Sequence, residues 1–260
     1  PIRTFIALTQ NSAIEGFMKE KQASFIDHLE ELRKRVLISI IFVLVFSVIG
    51  FAFAQRILNF IIKWTNIDTA YFFSPTEAFL VNIKVAIFVG ITIALPIILY
   101  QIWAFIGPGL TKKEQQISLP FLGSGILLFL IGCAFAYFIL IPLGLKFFLS
   151  FETENIKPIF NVNKVLEFIF WCILGSGFLF ELPLIVFFLV RLGIVDARTL
   201  TKHRAEFIVG ILVVAAIITP TSDIFTLLLI SIPLVLLVEI SIFLARTTKP
   251  KKKTSKIQNV

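Results

Sequence analysis

The sequence of 260 residues is poor in charge. Only 15% of its residues are charged and 58% are hydrophobic, whereas a soluble domain has about 25% charged residues. A soluble fold of this length has no core large enough to hide so much apolar surface. A membrane β-barrel would show alternating segments of about ten residues rather than long apolar runs. The composition therefore indicates a polytopic, all-α membrane protein.

Cysteine and histidine are almost absent. Cys133 and Cys172 both lie within apolar runs, and no CxxC pair or Cys/His cluster occurs, so neither a disulfide framework nor a metal site is expected. His28 and His203 lie outside the apolar runs and are expected to be interfacial polar residues. An intramembrane enzyme would need a nucleophile with a base, or metal ligands, at membrane depth. The sequence shows neither pattern, so we expect no enzymatic activity and no cofactor.

Six apolar runs are candidates for transmembrane helices, which take about 20 residues each. They are Val36–Ala54, Phe79–Ile106, Ile117–Leu145, Phe168–Val190, Phe207–Thr219 and Ile224–Ala245. The fifth run would form only about 20 Å of helix, against a hydrocarbon core of about 30 Å. We interpret residues 24–245 as a six-helix membrane domain, residues 1–23 as an N-terminal extension and residues 246–260 as a basic tail.

The basic residues are distributed unevenly between the two sides of the membrane. Of the 24 lysines and arginines, eighteen lie in residues 1–35, 107–116, 191–206 and 246–260, and five lie in residues 55–78, 146–164 and 219–223. Cytoplasmic segments carry an excess of Lys and Arg. Both termini are therefore predicted to be cytoplasmic, and this distribution explains the net charge of +8 without a nucleic-acid partner.

Local signals predict where several helices begin. Ser74-Pro75-Thr76-Glu77 reads as a capping box with proline at the first helical position, and Thr111-Lys112-Lys113-Glu114 fits the same box. Asp223 is predicted to cap the sixth span. A lead helix is expected to begin at Ser24 and to lie at the membrane surface before it turns into the first span.

Two charged residues within the apolar runs need an explanation. Glu181 lies near the middle of the fourth run, where an ionised carboxylate costs at least ~2.5–3.5 kcal/mol. One interpretation is an internal pair with Lys84 of the second run, and the other is a polar contact in a membrane-embedded groove. The same pair would suit a secondary transporter of a small solute, although we find no convincing internal repeat of the kind usual in such folds.

Two glutamates on the predicted cytoplasmic side stand among basic residues. Glu31 precedes Arg33-Lys34-Arg35, and Glu114 follows Lys112-Lys113. Glu31 can pair with Arg35 at i,i+4, and Glu114 can complete its capping box. Each carboxylate could instead receive a guanidinium in bidentate fashion. The residues alone leave both interpretations open.

Several segments resemble the TatC family, the multi-spanning component of the twin-arginine protein translocase. They are Phe25–Arg33 (FIDHLEELR), Leu99–Phe105 (LYQIWAF), Pro108–Glu114 (PGLTKKE), Ala134–Phe138 with Pro142, Phe180–Pro183 (FELP), and Thr219-Pro220 with Asp223. The segments occur in order between about residues 24 and 245, and together they are highly specific.

The resemblance implies a receptor for signal peptides that bear an Arg-Arg pair. Such a protein helps to move folded proteins across a membrane, driven by the proton-motive force, and its fold is a concave, glove-like bundle of six helices. TatA-like and TatB-like single-span partners and a homo-oligomer within a larger complex are implied as well. A bacterial inner membrane is the first expectation, with a plastid thylakoid or mitochondrial inner membrane as alternatives.

The resemblance also assigns roles to individual residues. Those expected to bind the signal peptide are Glu31, Arg33, Phe105 and Glu114. Glu181 matches the acidic residue of the concave membrane face. Thr219 and Asp223 are expected to contact a partner, although Leu227 stands where many members of the family carry glutamine.

Overall fold

The computed structural model describes the backbone of residues 2–65, 67, 69–106, 112–155, 157–191, 193, 195–218 and 223–247. Side chains are described for residues 26–65, 67, 69–105, 122–155, 157–191, 193, 195–196, 199–200, 202–217 and 223–244.

Helices make up nearly all of the described backbone, as the composition predicts. The helices are α1 (Ile2–Trp64), α2 (Pro75–Ile106), α3 (Lys112–Phe135), α4 (Ile141–Leu149), α5 (Val162–Leu179), α6 (Leu182–Arg191), α7 (Ala197–Lys202), α8 (Arg204–Ile218) and α9 (Ile224–Thr247). A π-helical turn, Ala136–Leu140, joins α3 to α4. The end of the bundle that holds the α1–α2 and α4–α5 loops is called the outer end below, following the charge pattern, and the opposite end is called the inner end.

Two short strands connect the outer loops, a detail that an all-α prediction does not include. Strand β1 (Ala70–Tyr71) pairs in parallel with strand β2 (Phe160–Asn161). Glu77, in the first turn of α2, strengthens this connection because its carboxylate accepts a hydrogen bond of 2.6 Å from the Asn161 side chain.

Five segments are long and apolar enough to cross a membrane: Ile26–Trp64, Pro75–Phe105, Leu122–Leu149, Val162–Arg191 and Ile224–Leu244. The remaining predicted span is α8, which begins at Arg204 rather than at the predicted Phe207. Its 15 residues give a length of about 22 Å, still below the roughly 30 Å of a hydrocarbon core. The prediction of a polytopic, all-α membrane protein with a short fifth span is therefore confirmed.

Helix α1 corrects one prediction. It runs without interruption from Ile2 to Trp64, so it neither begins at Ser24 nor turns before the first span. No proline occurs within it, so no residue of α1 lacks the backbone N–H that a helical hydrogen bond needs. The distance along α1 from Trp64 back to Glu31 is about 50 Å, which exceeds the thickness of the hydrocarbon core. With Trp64 at the outer surface, Glu31 lies beyond the apolar layer at the inner end.

The fourth predicted span is broken in its middle. Helix α5 ends at Leu179, and α6 begins at Leu182, immediately before Pro183. Proline lacks an N–H and its ring clashes with the carbonyl four residues earlier, here that of Leu179. In the break, the Phe180 N–H donates to the Ser176 carbonyl at 3.0 Å and the Glu181 N–H donates to the Phe178 carbonyl at 3.1 Å. The break thus places Glu181 between two half-helices.

Small residues allow several helices to approach closely. A Cβ at Gly132 would lie 2.7 Å from the Ser176 carbonyl oxygen, so α3 and α5 touch at this point. A Cβ at Gly90 would lie 2.7 Å from the Val43 carbonyl oxygen, which brings α2 equally close to α1. Gly123, by contrast, faces open space, because a Cβ there would meet nothing within 4 Å.

The helix caps follow the sequence in part. Asp223 caps α9 as predicted, because its Oδ1 accepts a hydrogen bond of 2.6 Å from the Thr226 N–H. Helix α2 begins at Pro75 as predicted. The Glu77 carboxylate accepts a hydrogen bond of 2.6 Å from the Phe73 N–H, and the Ser74 hydroxyl pairs with the Thr76 hydroxyl at 2.8 Å. The second predicted box begins at Thr111, which lies outside the described residues.

Candidate functional site

Five polar and aromatic residues of α1 and α2 come together at the inner end of the bundle. On α1, His28, Glu31 and Arg35 are spaced at i, i+3 and i+7, which places them on one helix face. On α2, Gln101 and Phe105 are one turn apart. These two faces meet, and the five residues are called the inner site below.

Arg35 holds one oxygen of the Glu31 carboxylate. Its Nη2 and Nε donate to Glu31 Oε1 at 2.5 and 3.1 Å. Its Nη1 donates to the side-chain oxygen of Gln101 at 3.2 Å, which links α1 to α2. The i,i+4 pair, one of the two interpretations of Glu31, is therefore present, and the Glu31 side chain retains 32% exposure.

His28 and Phe105 form the other side of the inner site. Their rings stack with centroids 4.3 Å apart and an interplanar angle of 15°. His28 Nδ1 lies 3.9 Å from Glu31 Oε2, which is too far for a hydrogen bond. Within the described part of the chain, Oε2 thus has no hydrogen-bond donor of its own. Phe105 approaches Glu31 through His28, a residue that the sequence interpretation had assigned only to the interface.

The other two predicted signal-binding residues are placed less closely. Arg33 is exposed, and two residues along a helix from Glu31 it faces another side. Glu114 is the third residue of α3, whose start lies at the inner end with the end of α2. Its side chain is outside the described residues, and the backbone places it only at the same end of the bundle as the inner site.

Glu181 is buried in the membrane-spanning part of the bundle. The residue is 8% exposed, and its Oε1 has no hydrogen-bond partner in the described part of the chain. Helix α3 packs against the carboxylate, since a Cβ at Gly125 would lie 3.3 Å from Oε2. The interpretation of Glu181 as a polar contact in a membrane-embedded groove stays a prediction.

The predicted pair between Lys84 and Glu181 is wrong. Lys84 Nζ instead donates to Glu167 Oε1 and to Asn163 Oδ1, both at 2.6 Å. The difference follows from how far each residue lies from the outer end of its helix. Lys84 lies about 13 Å from the start of α2, and Glu167 lies about 8 Å from the start of α5. Glu181 lies about 28 Å from the start of α5, so it is too far toward the inner end to meet Lys84. The charge pair on which a small-solute transporter would depend is absent from the described residues.

The short helix α8 is held to α9 at the inner end. Arg204 Nε donates to Glu239 Oε1 at 2.9 Å, and its Nη2 contacts Oε2, so the pair is bidentate. Of the two predicted partner-binding residues, Asp223 caps α9, and Thr219 lies outside the described residues. The structure therefore describes the outer turn between α8 and α9 only from Asp223 onward.

An open apolar cleft lies beside the break that carries Glu181. It has a volume of about 510 Å³. Its walls come from α3, the π-helical turn, α9 and the residue that precedes Glu181; they include Ile131, Phe135, Phe138, Phe180, Pro233 and Leu236. The cleft can accommodate an apolar segment within the membrane.

The fold and these sites define an integral membrane protein of the polytopic helical class, with an ion-paired glutamate at its inner end and a buried carboxylate in a broken span. Residues 27–233 match the family model of the Sec-independent protein translocase protein (TatC). The chain belongs to the TatC family.

Individual relatives agree with the family model. The chain is 35% identical over 237 residues to the TatC protein of Carboxydothermus hydrogenoformans, covering 90% of this chain and 98% of the relative. It is 40% identical over 233 residues to TatC of Aquifex aeolicus, covering 87% and 96%. A crystal structure of the twin-arginine translocase receptor TatC superposes with a TM-score of 0.74 at 40% identity, covering 85% of this chain and 98% of that one.

Proposed function

We propose that this TatC-family protein is the signal-peptide receptor of a twin-arginine translocase. It recognises an Arg-Arg pair at the inner site and takes part in moving folded proteins across the membrane, driven by the proton-motive force. The observation that carries the proposal is the Glu31 carboxylate, which is partly exposed at the inner end and whose Oε2 lies 3.9 Å from His28 Nδ1, while two nitrogens of Arg35 donate to Oε1.

The chemistry of the inner site suits a guanidinium. A charge-assisted hydrogen bond to a carboxylate contributes about 1.5–3 kcal/mol. A guanidinium is planar and stacks on aromatic faces, and the stacked rings of His28 and Phe105 lie beside Glu31 Oε2. In this proposal Glu31 binds one signal arginine, Glu114 binds the other, and the exposed Arg33 contacts the peptide at the rim of the site.

The membrane-embedded features suit the apolar stretch that follows the arginines. The apolar cleft provides space for it, and Glu181 meets a polar group of the signal or of a partner helix. We propose that TatA-like and TatB-like single-span proteins dock near Thr219 and Asp223, beside the short α8. We further propose a homo-oligomer within a larger complex and a bacterial inner membrane with the inner end facing the cytoplasm.

Binding of signal peptides to the full chain in nanodiscs tests the proposal. The variants are Glu31→Gln and Glu114→Gln, and the matched control is Glu30→Gln, which removes the same charge from a neighbouring exposed residue. We expect each of the two site variants to weaken the binding of an Arg-Arg peptide by about tenfold, which corresponds to about 1.4 kcal/mol. The binding of a Lys-Lys peptide should stay nearly unchanged. Equal losses for both peptides, or the same loss in Glu30→Gln, would show that these glutamates serve only the helices.

A further inference from the structure

We propose that Arg35, held by Gln101, is a positioning residue that fixes the Glu31 carboxylate and so selects arginine over lysine in the signal. This inference rests on the proposed function of the inner site. It assigns the two carboxylate oxygens different tasks, with Oε1 bound to the receptor's own arginine and Oε2 reserved for the signal.

The hydrogen bonds of Arg35 give the first part of the argument. Two of its nitrogens donate to the same oxygen, Glu31 Oε1, instead of bridging both oxygens. A bidentate arginine usually binds both oxygens of a carboxylate in a fork. Here the guanidinium is rotated so that both donating nitrogens point to Oε1, and Oε2 faces His28 Nδ1 at 3.9 Å.

Gln101 gives the second part of the argument, because it explains the orientation of the Arg35 guanidinium. Its side-chain oxygen accepts from Arg35 Nη1 at 3.2 Å across the contact between α1 and α2. The guanidinium is thus held on two sides, by Glu31 from its own helix and by Gln101 from the next, and its side chain is only 23% exposed. Arg35 therefore cannot rotate to cover Oε2 without losing the contact to α2.

The stacked rings give the third part, which concerns selectivity. A carboxylate that is already oriented loses less rotational freedom on binding than a mobile one. A guanidinium that donates to Oε2 can at the same time lie against the His28–Phe105 stack, whereas the ammonium of a lysine gains no comparable planar contact. Orientation of Glu31 should therefore favour an arginine more than a lysine.

The proposal predicts an effect opposite in sign to simple electrostatics. If Arg35 acts only as a competing counter-ion, removing its positive charge should strengthen the binding of any cationic peptide to the inner site. If Arg35 positions Glu31, the same removal should weaken the Arg-Arg peptide.

The test measures dissociation constants of Arg-Arg and Lys-Lys signal peptides on the full chain in nanodiscs. The variants are Arg35→Gln, Arg35→Lys and Gln101→Leu, and the control is Lys34→Gln, which removes one charge from an exposed neighbour. We expect Arg35→Gln to weaken the Arg-Arg peptide about tenfold, equivalent to about 1.4 kcal/mol, without weakening the Lys-Lys peptide. Arg35→Lys should restore part of the preference, and Lys34→Gln should keep it.

Gln101→Leu keeps every charge of the inner site and guards against a folding defect in Arg35→Gln. We expect it to lower the Arg-Arg preference in the same direction, by about threefold, equivalent to about 0.7 kcal/mol. Unchanged or tighter Arg-Arg binding in Arg35→Gln and Gln101→Leu overturns the inference, as does an equal effect of Lys34→Gln. Glu31→Gln in the same assay separates the two proposals: if it binds the Arg-Arg peptide like the unaltered protein, the proposed function fails, whereas a loss there with no loss in Arg35→Gln removes only the role of Arg35.

Discussion

Replacement of Gly90 by alanine should force α1 and α2 apart. A Cβ at position 90 would lie 2.7 Å from the Val43 carbonyl oxygen and 2.8 Å from the Ser47 amide nitrogen, and it would overlap the Ser47 hydroxyl. Ordinary contacts begin at 3.4 Å. Because the obstructing atoms include backbone, the helices must separate by about 0.7 Å, the difference between the closer backbone distance and that limit.

This separation affects both stability and the inner site. Overpacking in a close helix contact costs about 1–3 kcal/mol, and alanine returns up to about 1 kcal/mol through its better helix propensity. With the full return from helix propensity, the net loss of unfolding free energy is at most about 2 kcal/mol. The bond between Arg35 and Gln101, 3.2 Å long in the structure, would be stretched beyond hydrogen-bonding range, so the affinity for an Arg-Arg peptide should fall as well.

The assay is thermal unfolding in detergent, followed by fluorescence-detected size exclusion, together with peptide binding. Gly210→Ala is the matched control, because a Cβ at that helical glycine meets nothing within 4 Å. Gly90→Ala should melt several degrees lower than Gly210→Ala. If Gly90→Ala melts at the same temperature or above it, the close contact between α1 and α2 does not exist as described.

Three further predictions concern charges away from the inner site. The variant Lys84→Glu should lower the melting temperature, and the double exchange of Lys84→Glu with Glu167→Lys should recover part of the loss; no recovery would mean that the two residues are not paired. Glu181→Leu should impair transport of a twin-arginine cargo in cells without lowering the amount of inserted protein on an immunoblot, and a fall in abundance would instead indicate a purely structural residue. Arg204→Gln should loosen α8 from α9 and weaken disulfide crosslinking between cysteine pairs placed across them, whereas Arg204→Lys should retain part of it; identical crosslinking in all three proteins would contradict a bidentate pair with Glu239.

The long elements of the fold could be predicted because they depend on local patterns. The apolar runs gave the spans, and Asp223 before the sixth run gave the cap of α9. The brevity of α8 followed from a run of few residues. The continuity of α1 was missed, since the polar sequence around Ser24 resembles a boundary although nothing in it breaks a helix.

The contacts between helices were harder to predict. Lys84 and Glu181 have opposite charges, and both lie within apolar runs of the sequence. Only the relative positions of α2 and α5 along the membrane normal show that Lys84 contacts Glu167 instead. Within the inner site, the pair of Glu31 and Arg35 is local and was predicted. The spacing of His28 and Glu31 at i,i+3 offered a signal of the same kind, whereas Gln101 depends on how α1 meets α2 and had none.

The central claim is that the inner site binds the arginine pair of a signal peptide, and photocrosslinking in native membranes tests it most directly. A photoreactive phenylalanine analogue replaces Phe105, which keeps an aromatic ring beside His28, and a second protein carries it at Phe60, an exposed residue on the outer half of α1. The account predicts strong labelling of an Arg-Arg signal from position 105, weak labelling of a Lys-Lys signal and little labelling from position 60. Equal labelling of both signals from position 105, or labelling no stronger than from position 60, would contradict it.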